Sequence, residues 1–260
     1  MHQSSDLQGQ PQQPIDVITW DCDSTLSHIE GIDWMAAQCG VGDQVAAMTQ
    51  LAMSHQGVDV SLYERRLSLV RPSKALLNQV QAAYWQWVAP DAALVIAMLK
   101  ALGKSVWVLS AGLQHPVAAF VTRLGVERDC VQAVATQHDQ NGAYLDFDRS
   151  ALMIQPGGKA EAIAALKSRY NGAVAHIGDG VNDLEVLPTA DRFIGYGGAV
   201  IRGQVATASP FYIRSASMLP ALPLLLTAEE VAQLSPAHQL VYQKARQLFM
   251  RTAAVKVSLL

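Results

Sequence analysis

At 260 residues the chain is long enough for one core domain with a smaller insert and too short for three domains. Hydrophobic residues make up 50%, charged residues 16%, and the net charge is −3, a balance that excludes a nucleic-acid binder working through a basic surface. The longest apolar stretch, residues 218–226, is broken by Pro220 and Pro223 and falls far short of the about 20 residues that span a bilayer, so no membrane partner is expected.

Residues 1–14 are rich in Gln, with Ser, Gly and Pro, and contain no apolar core of a secretory signal; they read as a disordered leader. Residues 15–20, Ile-Asp-Val-Ile-Thr-Trp, are a short apolar and β-branched run that predicts a buried strand. Asp21 and Asp23 come directly after it, and side chains two apart leave a strand on the same side. They therefore converge at the carboxyl end, where open α/β sheets place their ligand sites. Two carboxylates so close cannot both stay ionised unaided, which suggests a metal; two solvated loop acids are the alternative. Cys22, between them, reads as a small side chain turned into the core rather than a redox handle. With Cys39 and Cys130 it forms no Cys-x-x-Cys pair, so neither a disulfide framework nor a zinc site is expected, and a reducing cytoplasm is the simplest setting.

Residues 31–90 are dominated by helical patterns at 34–39, 44–53, 62–70 and 73–87, with turn residues near Gly57 and at Arg71-Pro72. Placed between the first strand and the rest, they read as a small helical cap domain over the cleft, or as ordinary connecting helices. From residue 91 the patterns alternate: helix 92–102, strand 106–109 running into Ser110-Ala111-Gly112, helix 116–124, helix 159–169 opening on Lys159, strand 174–177 running into Gly178-Asp179-Gly180-Val181-Asn182-Asp183, helix 183–187 and the extended run 193–196. Two further extended runs, 131–136 and 143–147, flank a polar turn whose Asn141-Gly142 favours a hairpin. Such alternation points to an α/β fold, a Rossmann-like doubly wound parallel sheet built from residues 15–30 and 91–226. Residues 227–260 read as a C-terminal helical extension. It has a capping start at Thr227 and a helix over 236–252 with an apolar stripe at Leu240, Ala245, Leu248 and Phe249, either a strap on the core or an association surface.

Taken singly, Ser110 could cap a helix, Lys159 could be a solvated first-turn lysine and Asp183 an acid at a helix N-terminus. In order, Asp21-x-Asp23-x-Thr25, Ser110, Lys159 and Gly178-Asp179-Gly180-x-x-Asp183 resemble the haloacid dehalogenase superfamily of phosphohydrolases. Further stretches narrow the resemblance to its phosphoserine phosphatase family: Glu30-Gly31-Ile32-Asp33, Met48-Thr49, Ala52-Met53, Arg66-Leu67, Pro72-Ser73, residues 193–198 and Val200-Ile201-Arg202.

The resemblance, which runs from about residue 17 to 213, implies Asp21 as the nucleophile that becomes aspartyl-phosphate and Asp23 as general acid, then base. It implies Mg²⁺ held by the Asp21 carboxylate, the Asp23 carbonyl and Asp179, with Asp183 orienting metal waters or Lys159. Ser110 and Lys159 would hold phosphoryl oxygens, with Ala111 beside them; Glu30 would meet a substrate ammonium and Arg66 a carboxylate. Met53, Asn182 and Arg202 would support the substrate. The implied partner is a small phosphate ester, most directly O-phosphoserine on the route to serine, in a monomer or homodimer. Phosphoryl transfer to another hydroxyl compound such as homoserine, and a non-catalytic binding protein on this scaffold, are the alternatives. Three departures bear on specificity: Ala111 stands where the family has Gly, Asp59 or Val60 where it commonly has Phe, and Arg65 adjoins Arg66.

Overall fold

The computed structural model describes residues 7–54, 60–251 and 254–257, without the side chains of 52–54. Val17–Trp20 (β1) is succeeded by four helices, Gly31–Gln38 (α1), Gly42–Ser54 (α2), Val60–Val70 (α3) and Lys74–Gln86 (α4). Next come Ala92–Ala101 (α5), Ser105–Leu113 (β2), Gln114–Arg123 (α6), Val131–Val134 (β3), Thr136–His138 (β4) and Tyr144–Phe147 (β5). Gly158–Tyr170 (α7), Val174–Gly178 (β6), Val181–Leu184 (α8), Arg192–Tyr196 (β7), Gly203–Ala208 (α9) and Phe211–Ile213 (β8) complete the alternating part. Leu222–Leu225 (α10), Ala228–Ala232 (α11), Pro236–Phe249 (α12) and Val255–Val257 (β9) close the chain.

β1 forms where an apolar run is buried on both faces. Ile18 and Trp20 point to one side, with Val95, Ile96 and Leu99 of α5; Val17 points to the other, with Ala162, Ile163 and Leu166 of α7. The seven strands lie in the order β3-β2-β1-β6-β7-β8-β9, parallel except for β9, which is antiparallel to β8. This is the expected doubly wound α/β architecture. β1 sits between β2 on one side and β6 on the other, so the chain leaves it in opposite directions and a crevice opens at its carboxyl end. No helix among the described residues is long and apolar enough to cross a membrane.

Several details depart from the sequence reading. Residues 131–136 do not form one arm of a hairpin. Val131 and Val134 are buried as β3 joins the main sheet beside β2, while the polar Thr136–His138 turns away to pair with β5. The tail is not wholly helical: α12 buries Tyr242, Ala245 and Phe249 against the core, and β9 then extends the sheet, so this segment is a strap.

Residues 7–14 are not a disordered leader. Leu7 is buried, Arg192 donates to the Gly9 carbonyl at 2.6 Å, and Gln10 donates to the Leu226 carbonyl at 3.0 Å. One apolar residue and two backbone acceptors suffice to hold a stretch whose composition alone suggests disorder. Deleting residues 1–13 should therefore cost about 2 kcal/mol of stability, the scale for exposing one buried leucine and the surface beneath it. Urea unfolding of the two lengths checks this, and a free leader would leave the midpoint unchanged.

Candidate active site

The parallel register sets Trp20 beside Val108 and Ile177, so the residues that succeed each strand end meet at one edge. Asp21 leaves β1, Ser110 is the sixth of the nine residues of β2, and Asp179 comes directly after β6. After Asp21 the chain folds sharply: Ser24 adopts φ 53°, a left-handed conformation that a non-glycine residue holds only where its surroundings demand it. The turn lets the Ser24 hydroxyl donate to Glu30 Oε1 at 2.6 Å and Thr25 Oγ1 donate to Asp179 Oδ1 at 3.1 Å. Cys22, between the acids, is fully buried in the core.

Asp21, Asp179 and Asp183 are buried, with carboxylate oxygens within 4.8 Å of one another. Lys159, from the first turn of α7, is buried among them, with Nζ 3.0 Å from Asp21 and 2.5 Å from Asp183. His176 Nε2 lies 2.8 Å from Asp183 Oδ1, and the Gly180 amide donates to Asp183 Oδ2 at 2.8 Å. Asp179 Oδ2 accepts from Arg202 Nε at 2.8 Å, and the other end of that guanidinium reaches Glu30 Oε1 at 3.1 Å. Asp23 Oδ1 accepts from the Gly31 amide at 2.5 Å and the Tyr84 hydroxyl at 2.8 Å. Its Oδ2 faces Gly112, where an added Cβ would lie 2.7 Å from Asp23 Oδ2 and 3.0 Å from Ser110 Oγ. A side chain there would press on both groups; Ala111 beside it carries its methyl without closing the site, and its carbonyl accepts from Tyr63 at 2.9 Å.

The electrostatics arise from burial. Desolvation pushes the Asp21 carboxyl well up against the pull of Lys159, lifts Asp179 to about 6 despite Arg202, and lifts Glu30 to about 8. Burial would raise Asp183 as well, yet the Lys159 ammonium and the His176 imidazole hold its carboxyl below the usual range. Buried or half-buried acids (Asp21, Asp23, Glu30, Asp179, Asp183) outnumber the cations facing them, Lys159 and Arg202. An oxygen-only donor set with surplus negative charge fits a hard divalent cation. Asp183 has three donors on its two oxygens, which leaves Asp21 and Asp179 as the side chains with capacity for an ion.

One cavity is lined by Asp21, Asp23, Glu30, Arg66, Ser110, Ala111, Gly112 and Asn182, bringing together residues widely spaced along the sequence. Of the two adjacent arginines, Arg66 lines it and Arg65 is exposed. Arg66 Nη1 donates to Thr49 at 3.3 Å, Thr49 donates to Asp33 at 2.6 Å, and Arg66 Nε is buried with no partner. Arg202 reaches Glu30 and Asp179 from outside the lining. The Met53 side chain and Asp59 lie outside the described residues. Tyr84, Tyr63 and His176 join the site although no motif marks them. His176 alone leaves a signal in the sequence, a polar residue inside an apolar strand.

A sequence profile of the haloacid dehalogenase-like hydrolases matches residues 15–191. The chain belongs to that family. It is 33% identical over 199 residues to the phosphoserine phosphatase of Bos taurus, covering 76% of this chain and 88% of that one. It is 32% identical over 203 residues to that of Drosophila melanogaster, covering 77% and 75%. A solved structure described as a phospho-aspartyl intermediate analogue of phosphoserine phosphatase superposes with a TM-score of 0.71 at 22% identity, over 82% of this chain and 100% of that one, a likeness of fold. The protein is thus a phosphatase of the phosphoserine phosphatase-like type.

A cation on Asp179 competes with the proton that burial favours there. The carboxylate is ionised above its raised value and protonated below it, so cation affinity should fall as pH drops through about 6. Titrating Mg²⁺ into an aryl phosphatase assay across that range should show the half-saturating concentration climbing on the acid side. A flat profile would remove Asp179 from the cation's ligands.

Proposed function

We propose that the chain hydrolyses O-phosphoserine to serine and phosphate. The observation that carries this reading is the pairing of Glu30 and Arg66 on one cavity with Asp21. Glu30 is an acid that burial pushes up to about 8 even beside Arg202, so it lacks a second cation; Arg66 Nε is a buried donor that lacks an acceptor. An amino acid ester brings an ammonium and a carboxylate, which supply both. The Bos taurus and Drosophila melanogaster relatives act as phosphoserine phosphatases by their descriptions, which supports the same assignment.

In this mechanism an Asp21 oxygen attacks phosphorus in line and the seryl oxygen leaves. Asp23, whose carboxyl burial raises, gives its proton to that leaving oxygen from Oδ2, since Oδ1 is engaged by Gly31 and Tyr84. The resulting carboxylate then takes a proton from the water that attacks the aspartyl-phosphate, which regenerates Asp21 and releases phosphate. Lys159, beside Asp21, and Ser110 hold the phosphoryl oxygens, and Asn182 lines the cavity with Ser110. Mg²⁺, held by Asp21, Asp179 and the Asp23 carbonyl, supplies further neutralisation of phosphoryl charge when bound. Helices α1–α4, with the rest of residues 31–90, act as a cap, since α1, α3 and α4 contribute Met35, Arg66 and Tyr84 to the cavity over the crevice. The product makes this a serine-forming enzyme, and three free cysteines suit a reducing cytoplasm.

Asp21→Asn should abolish turnover of every substrate while the fold persists, because an amide cannot form the acyl phosphate; steady turnover by that variant, deamidation excluded, would contradict the nucleophile assignment. Arg66→Ala should weaken phosphoserine selection by about 2 to 4 kcal/mol, the scale for truncating one partner of a desolvated charge pair. Hydrolysis of an aryl phosphate, which has no carboxylate, should barely change. Arg65→Ala, at an exposed position, is the control. Equal losses on both substrates would show that Arg66 serves phosphate binding or folding instead.

A further inference from the structure

β6 is buried on every residue, and a histidine in its middle has a cost that an apolar side chain would not. His176 is fully buried and bonded on both ring nitrogens. Thr19, its register partner on β1, lies 2.7 Å from Nδ1; Asp183 Oδ1 lies 2.8 Å from Nε2; and Phe193, its register partner on β7, stacks on the ring at 6.1 Å and 20°. The imidazole is thus fixed in its plane and at both edges. The Asp183 carboxylate accepts from the Lys159 ammonium and the Gly180 amide, so Nε2 carries the hydrogen towards it whatever the charge on the ring.

The contacts form one buried line: Thr19, His176, Asp183, Lys159, Asp21. Lys159 and His176 share the same oxygen of Asp183, while the ammonium also reaches Asp21. Without the imidazole that oxygen would have Lys159 as its sole donor and would draw the ammonium away from Asp21. We propose that His176 is a positioning residue for phosphoryl transfer: by occupying Asp183 it keeps the Lys159 ammonium directed at Asp21 and the phosphoryl group. This rests on the assignment of Lys159 to the phosphoryl oxygens. It does not depend on which phosphate ester is the substrate.

Three variants test it on an aryl phosphate with Mg²⁺. His176→Met fills the same interior space without a donor. His176→Gln places an amide N–H where Nε2 stands. Lys159→Ala removes the group acted upon. The Met variant should keep the wild-type Tm or exceed it, hold KM within about twofold, and lose about 10- to 100-fold in kcat, the range for removing a hydrogen-bond partner that orients a ligand of the reacting centre. The Gln variant should recover most of that loss. Wild-type kcat in the Met variant, with Lys159→Ala inactive, would overturn the positioning role and leave the Lys159 assignment standing. Losses in both His176 variants that track a fall in Tm would make the residue structural and likewise overturn it. An active Lys159→Ala would overturn both assignments at once.

Discussion

The rest of this structure depends on negative charge gathered at the carboxyl edge of a parallel sheet. Asp21, Asp179 and Asp183 are buried within 4.8 Å of one another, an arrangement that a bare protein interior would penalise severely. It persists because Lys159 and Arg202 enter from opposite sides, Lys159 between Asp21 and Asp183, and Arg202 between Asp179 and Glu30. The balance remains short of neutral, so burial still lifts Asp21, Asp179 and Glu30. A site left short of positive charge fits a divalent cation, and the proposed amino acid ester would bring a further positive group in its ammonium.

The sheet creates this site through register. β1 and β6 end within a residue of each other beside Val108 of β2, which runs on to Leu113, and each of the three strands brings a polar residue to the same crevice. The segments leaving the three strands differ in purpose. After β1 the left-handed Ser24 turns the chain so that Glu30 comes back over the acids. After β6 the Gly180 amide caps Asp183 and fixes its second oxygen. At β2 the glycine at 112 leaves room for Asp23 Oδ2 beside Ser110.

The catalytic edge is legible in the sequence because each part is a contiguous pattern: an apolar strand and the polar residues directly after it. Asp21, Asp23, Ser110, Asp179 and Asp183 sit at such ends, and Lys159 at a helix start, so local reading places them in one crevice. The features that escape such reading depend on pairing across the sheet or between layers. His176 shows only as a polar residue inside an apolar strand until Thr19 and Asp183 are seen on either side. Tyr84 belongs to an apolar helix face until its hydroxyl meets Asp23. Residues 7–14 read as solvated, since one leucine and two backbone carbonyls leave no periodic signal. The last two strands of the sheet, β8 and β9, are three residues each, too short for alternation to register. Which of Arg65 and Arg66 faces inward is also beyond a sequence, because the phase of a helix against its neighbour is fixed by packing.

The helices between β1 and α5 are tied to the catalytic residues by polar contacts as well as by apolar packing. Tyr84 on α4 holds Oδ1 of Asp23 and leaves Oδ2 towards Gly112; Tyr63 on α3 donates to the Ala111 carbonyl beside Ser110. Arg66, one turn further along α3, is steadied by Thr49 on α2, which in turn donates to Asp33 on α1. The group proposed to read the substrate's carboxylate and the groups that touch the acid and the phosphate cradle therefore share the same helices. A displacement of α3 that misplaces Arg66 also loosens Tyr63 from the cradle. Under the proposed assignment recognition and chemistry would share this framework, because Arg66 and Tyr63 lie one turn apart on α3.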